Sequence, residues 1–268
     1  MSEVKLDLIL VRHGNTNGNR RWMVEGSTDT PLNSTGQYQA KLVAARFRSR
    51  HIDQVCSSDL SRAYDTASAI VRENQHFTDE SMIEKYASLQ ERHFGVAEKS
   101  MILQHYHNAK IAGFTRRELT HYVPEGGESD DDVRRRVAAF LNNLFKKRIE
   151  INSSEWTVVV VSHGITMREI VRCLVEDYNC SGISKEVMSN GRKLAKTPNT
   201  GVTEFSLILN KNSGEQIRGD CTAFQSKSHL EFSNGMMEKM ALFLQNIIYY
   251  LEFLLALFLY FLSKLHLR

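Results

Sequence analysis

Two stretches of the sequence end alike. Leu8-Ile9-Leu10-Val11 runs straight into Arg12-His13-Gly14, and Val158-Val159-Val160-Val161 runs through Ser162 into His163-Gly164. Each reads as a buried strand that stops at a polar, glycine-containing exit. In an open α/β sheet the crevice beyond the carboxyl ends of the strands is where ligands collect. A strand-end His-Gly taken singly is an ordinary turn. Two copies together with Arg12 are a chemical constellation, because two imidazoles and a guanidinium can surround one phosphoryl group. Phosphoryl transfer asks for a nucleophile in line with the leaving oxygen and for positive charge around the other oxygens. His13 suits the first role, since an ordinary imidazole pKa of about 6.5 leaves a large neutral fraction near pH 7. Arg12 and Arg62 suit the second, with forked donors that match phosphate geometry better than lysine. His163 completes the clamp, and Gly14 is expected to let the backbone approach the ligand.

The elements that must position these groups follow from apolar spacing. Ala40, Val43, Ala44 and Phe47 form one face of a helix after the turn Thr30–Gly36. A short strand, Ile52 to Cys56, delivers Ser57-Ser58-Asp59-Leu60-Ser61-Arg62, and a helix with Ala63, Ala67, Ile70 and Val71 on one side follows. Arg62 therefore falls near a helix N-terminus, where it opposes the dipole unless it meets an anion. A solvated surface arginine is the plainer alternative. From Glu98 to Glu128 the pattern is irregular and reads as an inserted cap. It carries Lys99, His105, His107, Lys110, Arg116, Arg117 and His121, expected to be a solvated basic surface. His105-x-His107 lacks a third ligand at metal-site spacing.

Ser129-Asp130-Asp131-Asp132 approximates a capping box opening a long helix with Val133, Val137, Phe140, Leu141, Leu144 and Phe145 as its buried stripe. After the strand Thr157–Ser162 come a helix, Ile165 to Glu176, a turn at Thr197–Gly201 and a last strand, Thr203 to Leu209. The order β–α–β–α–cap–α–β–α–β predicts an α/β fold, a mostly parallel central sheet with helices on both faces plus an inserted cap at about 98–128.

The 268 residues are 42% hydrophobic and 24% charged, ordinary for a globular chain with a substantial core. A net charge of +3 is compatible with an anionic substrate and falls far short of a nucleic-acid-binding signature. Cys56, Cys173, Cys180 and Cys221 have no CxxC or zinc spacing and read as free thiols of a reducing compartment. The N-terminus enters the first strand without a signal-peptide layout, so a cytoplasmic location is expected.

At this point the residues resemble a family. Arg12-His13-Gly14-x-Thr16-x-x-Asn19, Ser58-x-Leu60-x-Arg62-Ala63-x-x-Thr66-Ala67, Glu91 in Glu-Arg-x-Phe-Gly, and Ser162-His163-Gly164 arrive in the order found in the histidine phosphatase superfamily, the phosphoglycerate-mutase-like group. The resemblance spans roughly residues 5 to 210. Within the superfamily the chain is most similar to the TIGAR-type fructose-2,6-bisphosphatases, through Pro124-x-Gly126-Gly127-Glu128 and Thr197-Pro198-Asn199-Thr200-Gly201 in particular.

The resemblance implies a phosphatase acting on a small phosphorylated metabolite, a brake on glycolytic flux, and no metal or other cofactor. It implies His13, Glu91 and His163 as catalytic groups. Arg12, Gly14, Asn19, Arg62 and Gly164 are the implied substrate contacts. Glu91 would protonate the departing alkoxide and then activate water against phospho-His13. Asn15 departs from the family, which usually has glutamate or glutamine there. Arg116 or Arg117 is a candidate holder of a second phosphate. A mutase, a membrane-tethered protein phosphatase and a non-enzymatic regulator are the competing functions; the last is disfavoured because Arg12, His13, Arg62, Glu91 and His163 are all present.

The phosphatase domain is expected over 1–235, and residues 236–268 form a separate apolar tail. Within it residues 240–262 are long enough to span a bilayer, and fourteen of the twenty-three are Leu, Ile or Phe. Glu252 near the centre opposes insertion by about 3 kcal/mol. A tail anchor, a helix lying on the domain or on a membrane surface, and an extension without a role all fit this composition.

Overall fold

The computed structural model describes residues 3–115, 118–119, 121–151, 153–184, 187–188, 197–212 and 216–231. Six strands form one sheet: β1 (Glu3–Arg12), β2 (Gln54–Ser58), β3 (Glu84–Tyr86), β4 (Glu155–Ser162), β5 (Val202–Asn210) and β6 (Gln216–Ser226), in the order β3-β2-β4-β1-β5-β6. The β2–β3, β2–β4 and β1–β4 pairings are parallel, and β1–β5 and β5–β6 are antiparallel. The sheet is thus mixed, parallel through the half that matters for the site.

Its central strands are apolar on both sides because both faces are covered. Leu6, Leu8 and Leu10 of β1 and Val158 and Val160 of β4 pack in one cluster with α5 (Asp130–Glu150) and α6 (Gly164–Arg172). Ile9, Val11, Val159 and Val161 point the other way, into a cluster with Val43, Ala44 and Phe47 of α2 (Ser34–Arg46) and its C-cap and Ala63, Ala67, Ile70 and Val71 of α3 (Ser61–Glu73). Alternate residues of a strand face opposite sides, so one unbroken valine run feeds two cores.

The capping box at Ser129 is present: Ser129 Oγ accepts from the Asp132 N–H, and the Asp132 carboxylate accepts from the Ser129 N–H. Every residue of the expected stripe of α5 is buried.

Two strands escape the sequence reading. β3 is three residues long, and β6 is polar and bulged against β5. Residues 98–128, expected to form a cap, contain α4 (Ile102–Ile111) and turns, and are laced to the loop after β1 by Val24 N–H to Ser100 O and Ile102 N–H to Trp22 O. Arg116 and Arg117 lie outside the described residues, as does the tail at 240–262. Among the described residues no helix is long and apolar enough to cross a membrane.

Candidate active site

Register builds the site. Arg12 pairs with Ser162 and Ser57 with Val161, so β1, β4 and β2 end at one level. With β4 in the middle, His163 emerges between His13 on one side and Ser58 on the other. The two imidazole rings stand 5.0 Å apart, centroid to centroid, inclined at 54°. On the far side His163 Nε2 lies 2.9 Å from Ser58 Oγ. Among the described residues the other hydrogen bond of that hydroxyl comes from the Leu60 N–H, a donor. In the tautomer in which the hydroxyl donates to Nε2, His163 carries its own proton on Nδ1, a buried atom with no partner. For His13 the arrangement is the reverse: Nδ1 lies 2.7 Å from the carbonyl of Gly14. A carbonyl only accepts, so Nδ1 holds the proton and Nε2 keeps its lone pair.

Burial holds both imidazoles well below the ordinary histidine pKa, and Arg62 and Arg12 push in the same direction. His13 is thus neutral at physiological pH by construction, beyond what an unperturbed ring would give. Arg62 is 1% exposed, which removes the surface alternative. Its Nη1 and Nη2 each donate over 2.7 Å, to the carbonyls of Thr28 and Gly26. Arg12 Nη1 donates to Thr197 O at 2.6 Å. Both guanidiniums keep a buried Nε–H without a partner. Buried donors of this kind are rare in folded proteins and mark a site that an acceptor completes.

Arg12, His13 and Arg62 line a cavity of about 270 Å³ together with Asn19, Glu25, Glu91 and Gly164, and His163 lies buried directly behind His13. Glu91 leaves the sheet just after β3 and sits on the first turn of α6, where its oxygens accept from the N–H groups of Ile165 (3.1 Å), Thr166 (3.2 Å) and Arg92 (2.9 Å). The helix N-terminus thereby fixes the carboxylate at the cavity edge. Asn19, in the short helix α1 (Asn17–Arg20), is held on both ends: Nδ2 donates to Glu25 Oε2 at 2.7 Å, and Oδ1 accepts from Asn199 at 2.9 Å.

Gly14 differs from its expected role. Its N–H donates to Thr66 Oγ1, and a Cβ there would stand 2.5 Å from the carbonyl oxygen of Gly36. The glycine lets two loops of the protein meet and does not line the cavity. Asn15 lies in a chain of amides with Asn33 and Asn199, likewise away from the cavity.

The roles of several contributors escape the sequence reading. The turn Thr197–Gly201 clamps the end of β1: Thr200 N–H donates to Arg12 O, and Asn199 Nδ2 to His13 O at 3.0 Å. Glu25 also accepts from Thr16 Oγ1 at 2.7 Å. Arg168, 3% exposed, pairs with Asp130 (2.5 Å) and Glu169 (2.6 Å), while Asp130 also takes Arg92 (2.9 Å). Burial alone would raise Asp130, but Arg168 and Arg92 hold it below the usual carboxylate range. The capping box read at Ser129–Asp132 gives no hint that the Asp130 carboxylate anchors two arginines. His105, expected on a solvated surface, is 4% exposed and lines the cavity. Lys99, Lys110 and His121 are exposed as expected. Among the described residues no group of three or more His, Cys, Asp or Glu is placed to hold a metal ion.

Comparisons with known proteins converge on this geometry. Residues 8–192 match the family profile of the Histidine phosphatase superfamily (branch 1). The chain is 32% identical over 255 residues to "Fructose-2,6-bisphosphatase TIGAR B" of Danio rerio, covering 84% of this chain and 96% of that protein. It is 28% identical over 265 residues to "Fructose-2,6-bisphosphatase TIGAR" of Bos taurus, covering 83% and 96%. Among solved structures, a mycobacterial glucosyl-3-phosphoglycerate phosphatase in complex with VO3 superposes with a TM-score of 0.65 at 25% identity, covering 81% of this chain and 98% of that one.

Proposed function

The chain belongs to the histidine phosphatase superfamily, branch 1, and from that premise we propose that it hydrolyses a phosphate ester of a small phosphorylated sugar through a phosphohistidine at position 13. Fructose-2,6-bisphosphate is the first candidate substrate, because the relatives that span most of both chains carry that activity in their names. Hydrolysis of that ester would lower glycolytic flux.

One observation carries the reading: a buried, neutral imidazole whose lone pair is on Nε2, among the partnerless N–H donors of Arg12, Arg62 and His163. In the forward step Nε2 of His13 forms a bond to phosphorus as the P–O bond to the sugar breaks. Glu91 gives its proton to the departing oxygen. The guanidiniums and His163 Nδ1–H hold the remaining phosphoryl oxygens, whose charge grows in the transition state. In the second step Glu91 takes a proton from water, the water oxygen attacks phosphorus, and the N–P bond breaks, returning the lone pair to His13 and releasing phosphate. Residues 98–128 serve in this reading as the cap over the site.

Phosphate release from fructose-2,6-bisphosphate, 2,3-bisphosphoglycerate and a phosphopeptide tests the proposal. Release from the sugar ester, abolished by His13→Ala, supports it. Preferred turnover of the phosphopeptide, or undiminished turnover of the His13→Ala chain, refutes it. The reading places the enzyme in the cytoplasm, with a membrane contact through residues 240–262 as its further part. That part fails if the full chain and a 1–235 truncation distribute identically on cell fractionation.

A further inference from the structure

The polar groups of the cavity are nearly all spoken for. Arg12, His13 and Arg62 face the phosphoryl group in the reading above, Asn19 and Glu25 bind each other, and Arg168 is held by Asp130 and Glu169. His105 is the exception. It stands on the inner face of α4, in a wall of the same cavity built from Phe94, Ile102 and Leu119. Its ring is braced at 5.3 Å by Phe94 and at 5.3 Å by Tyr122. Its Nδ1 is buried and has no hydrogen-bond partner. A braced polar ring with an unmet nitrogen, in a wall otherwise apolar, is a costly arrangement unless a ligand completes it.

We infer that His105 is a specificity residue, which hydrogen-bonds a hydroxyl of the sugar part of the substrate while the phosphoryl group sits on Arg12, His13 and Arg62. The inference rests on the phosphatase reading above and deepens it from a phosphate ester to a polyol phosphate. The chemistry fits a hydroxyl better than a second phosphate. Burial, reinforced by the Arg92 guanidinium, lowers His105 to about 4, so the ring is neutral and offers one donor and one acceptor. A hydroxyl matches that pair, whereas a second dianion calls for a cation. Sites that hydrogen-bond a substrate hydroxyl discriminate strongly against analogues without it, because the protein atom is then left unpaired.

The test uses the full chain and two substrates, fructose-2,6-bisphosphate and an aryl phosphate that has no hydroxyl. His105→Phe keeps the ring packed against Phe94 and Tyr122 and removes both nitrogens. The expected result is a fall of about tenfold in kcat/KM on the sugar ester, carried mainly by KM, with less than a twofold change on the aryl ester. His105→Asn, which returns a polar atom near the place of Nδ1, should recover part of the loss. An unchanged kcat/KM on the sugar ester, or an equal fall on both esters, overturns the role of His105 and leaves the phosphatase reading standing. Turnover of the aryl ester by the wild-type chain with none of any sugar phosphate overturns the sugar reading, and the role of His105 with it. Should His105→Phe fail to fold, the wild-type chain is assayed on deoxy-sugar phosphates against the parent sugars; kcat/KM values that never fall by more than twofold overturn the inference.

Discussion

Replacing Arg62 by glutamine separates its charge from its scaffolding. In the structure one N–H of each Nη is taken by the carbonyls of Thr28 and Gly26, so what remains for a phosphoryl oxygen is the partnerless Nε–H, the second N–H of each Nη and the full positive charge. Removing one preorganised donor from a water-poor site costs about 2.7–4 kcal/mol of transition-state stabilisation, a fall of 10²–10³ in kcat. A second consequence carries a sign. Arg62 depresses the pKa of both His13 and His163, after burial the largest cause in each case. His13 must be neutral to attack, so kcat/KM rises with pH as its proton is lost. Without Arg62 that proton is held more tightly, and the acid limb of the kcat/KM profile moves to higher pH. Steady-state phosphate release from pH 4.5 to 8, normalised to the folded fraction by thermal melting, measures both effects. A loss under tenfold, or an acid limb that stays in place, refutes the assignment of Arg62 to the phosphoryl group.

Three further outcomes are expected. Glu91→Gln should slow hydrolysis of the phosphoenzyme more than its formation, so that acid-labile label from a phosphate-labelled substrate accumulates; a level of label equal to wild type counts against the water-activating role. Gly14→Ala forces a methyl group to 2.5 Å from Gly36 O and should destabilise the fold by about 1–3 kcal/mol, whereas unchanged urea denaturation would show that the loops give way freely. The pKa values of His13, His105, His163 and His229 are all lowered by burial, so the folded chain binds fewer protons than the unfolded one. Stability is then complete above about pH 6.5 and is lost as pH falls below it, at up to about 1.4 kcal/mol per pH unit for each group; Glu169 and Asp65, both raised by burial, oppose this. Equal melting temperatures at pH 7.5 and 5.5 would contradict that balance.

The parts of the fold legible in sequence are those where one local pattern and one tertiary demand coincide. The apolar runs of β1 and β4 are continuous because two helical layers cover them, and α5 announces itself by a capping box and a helical stripe. Where the demand is purely tertiary the pattern is silent. β6 is an edge strand whose polar residues and Gly219 satisfy only a bulged ladder with β5, and β3 exists because β2 offers it three residues of pairing. His105 sits among polar neighbours on α4, and only Ile102 and Ala109 on its face speak for burial. Gly14 was legible as a position that needs glycine, but the neighbour it admits, Gly36, is brought there by the fold of the loop after β1.

The candidate site divides in the same way. Its membership is written along the chain, since strand ends deliver residues in an order that the motifs preserve. The arrangement of its protons is not. His13-Gly14 and His163-Gly164 are twins in sequence and leave neighbouring parallel strands at one level, yet their ring nitrogens meet different neighbours. The carbonyl of Gly14 takes the Nδ1 proton of His13 and leaves it a lone pair on Nε2. Nε2 of His163 meets instead the hydroxyl of Ser58, brought alongside by the β2–β4 register; when that hydroxyl donates, the ring keeps its proton on Nδ1. In the proposed mechanism one ring attacks and the other donates, and the difference lies in a neighbour more than a hundred residues away in the chain. Ser58→Ala would leave that nitrogen unpaired and free His163 to exchange tautomers, which is why a residue that never touches the phosphoryl group can decide which imidazole acts on it.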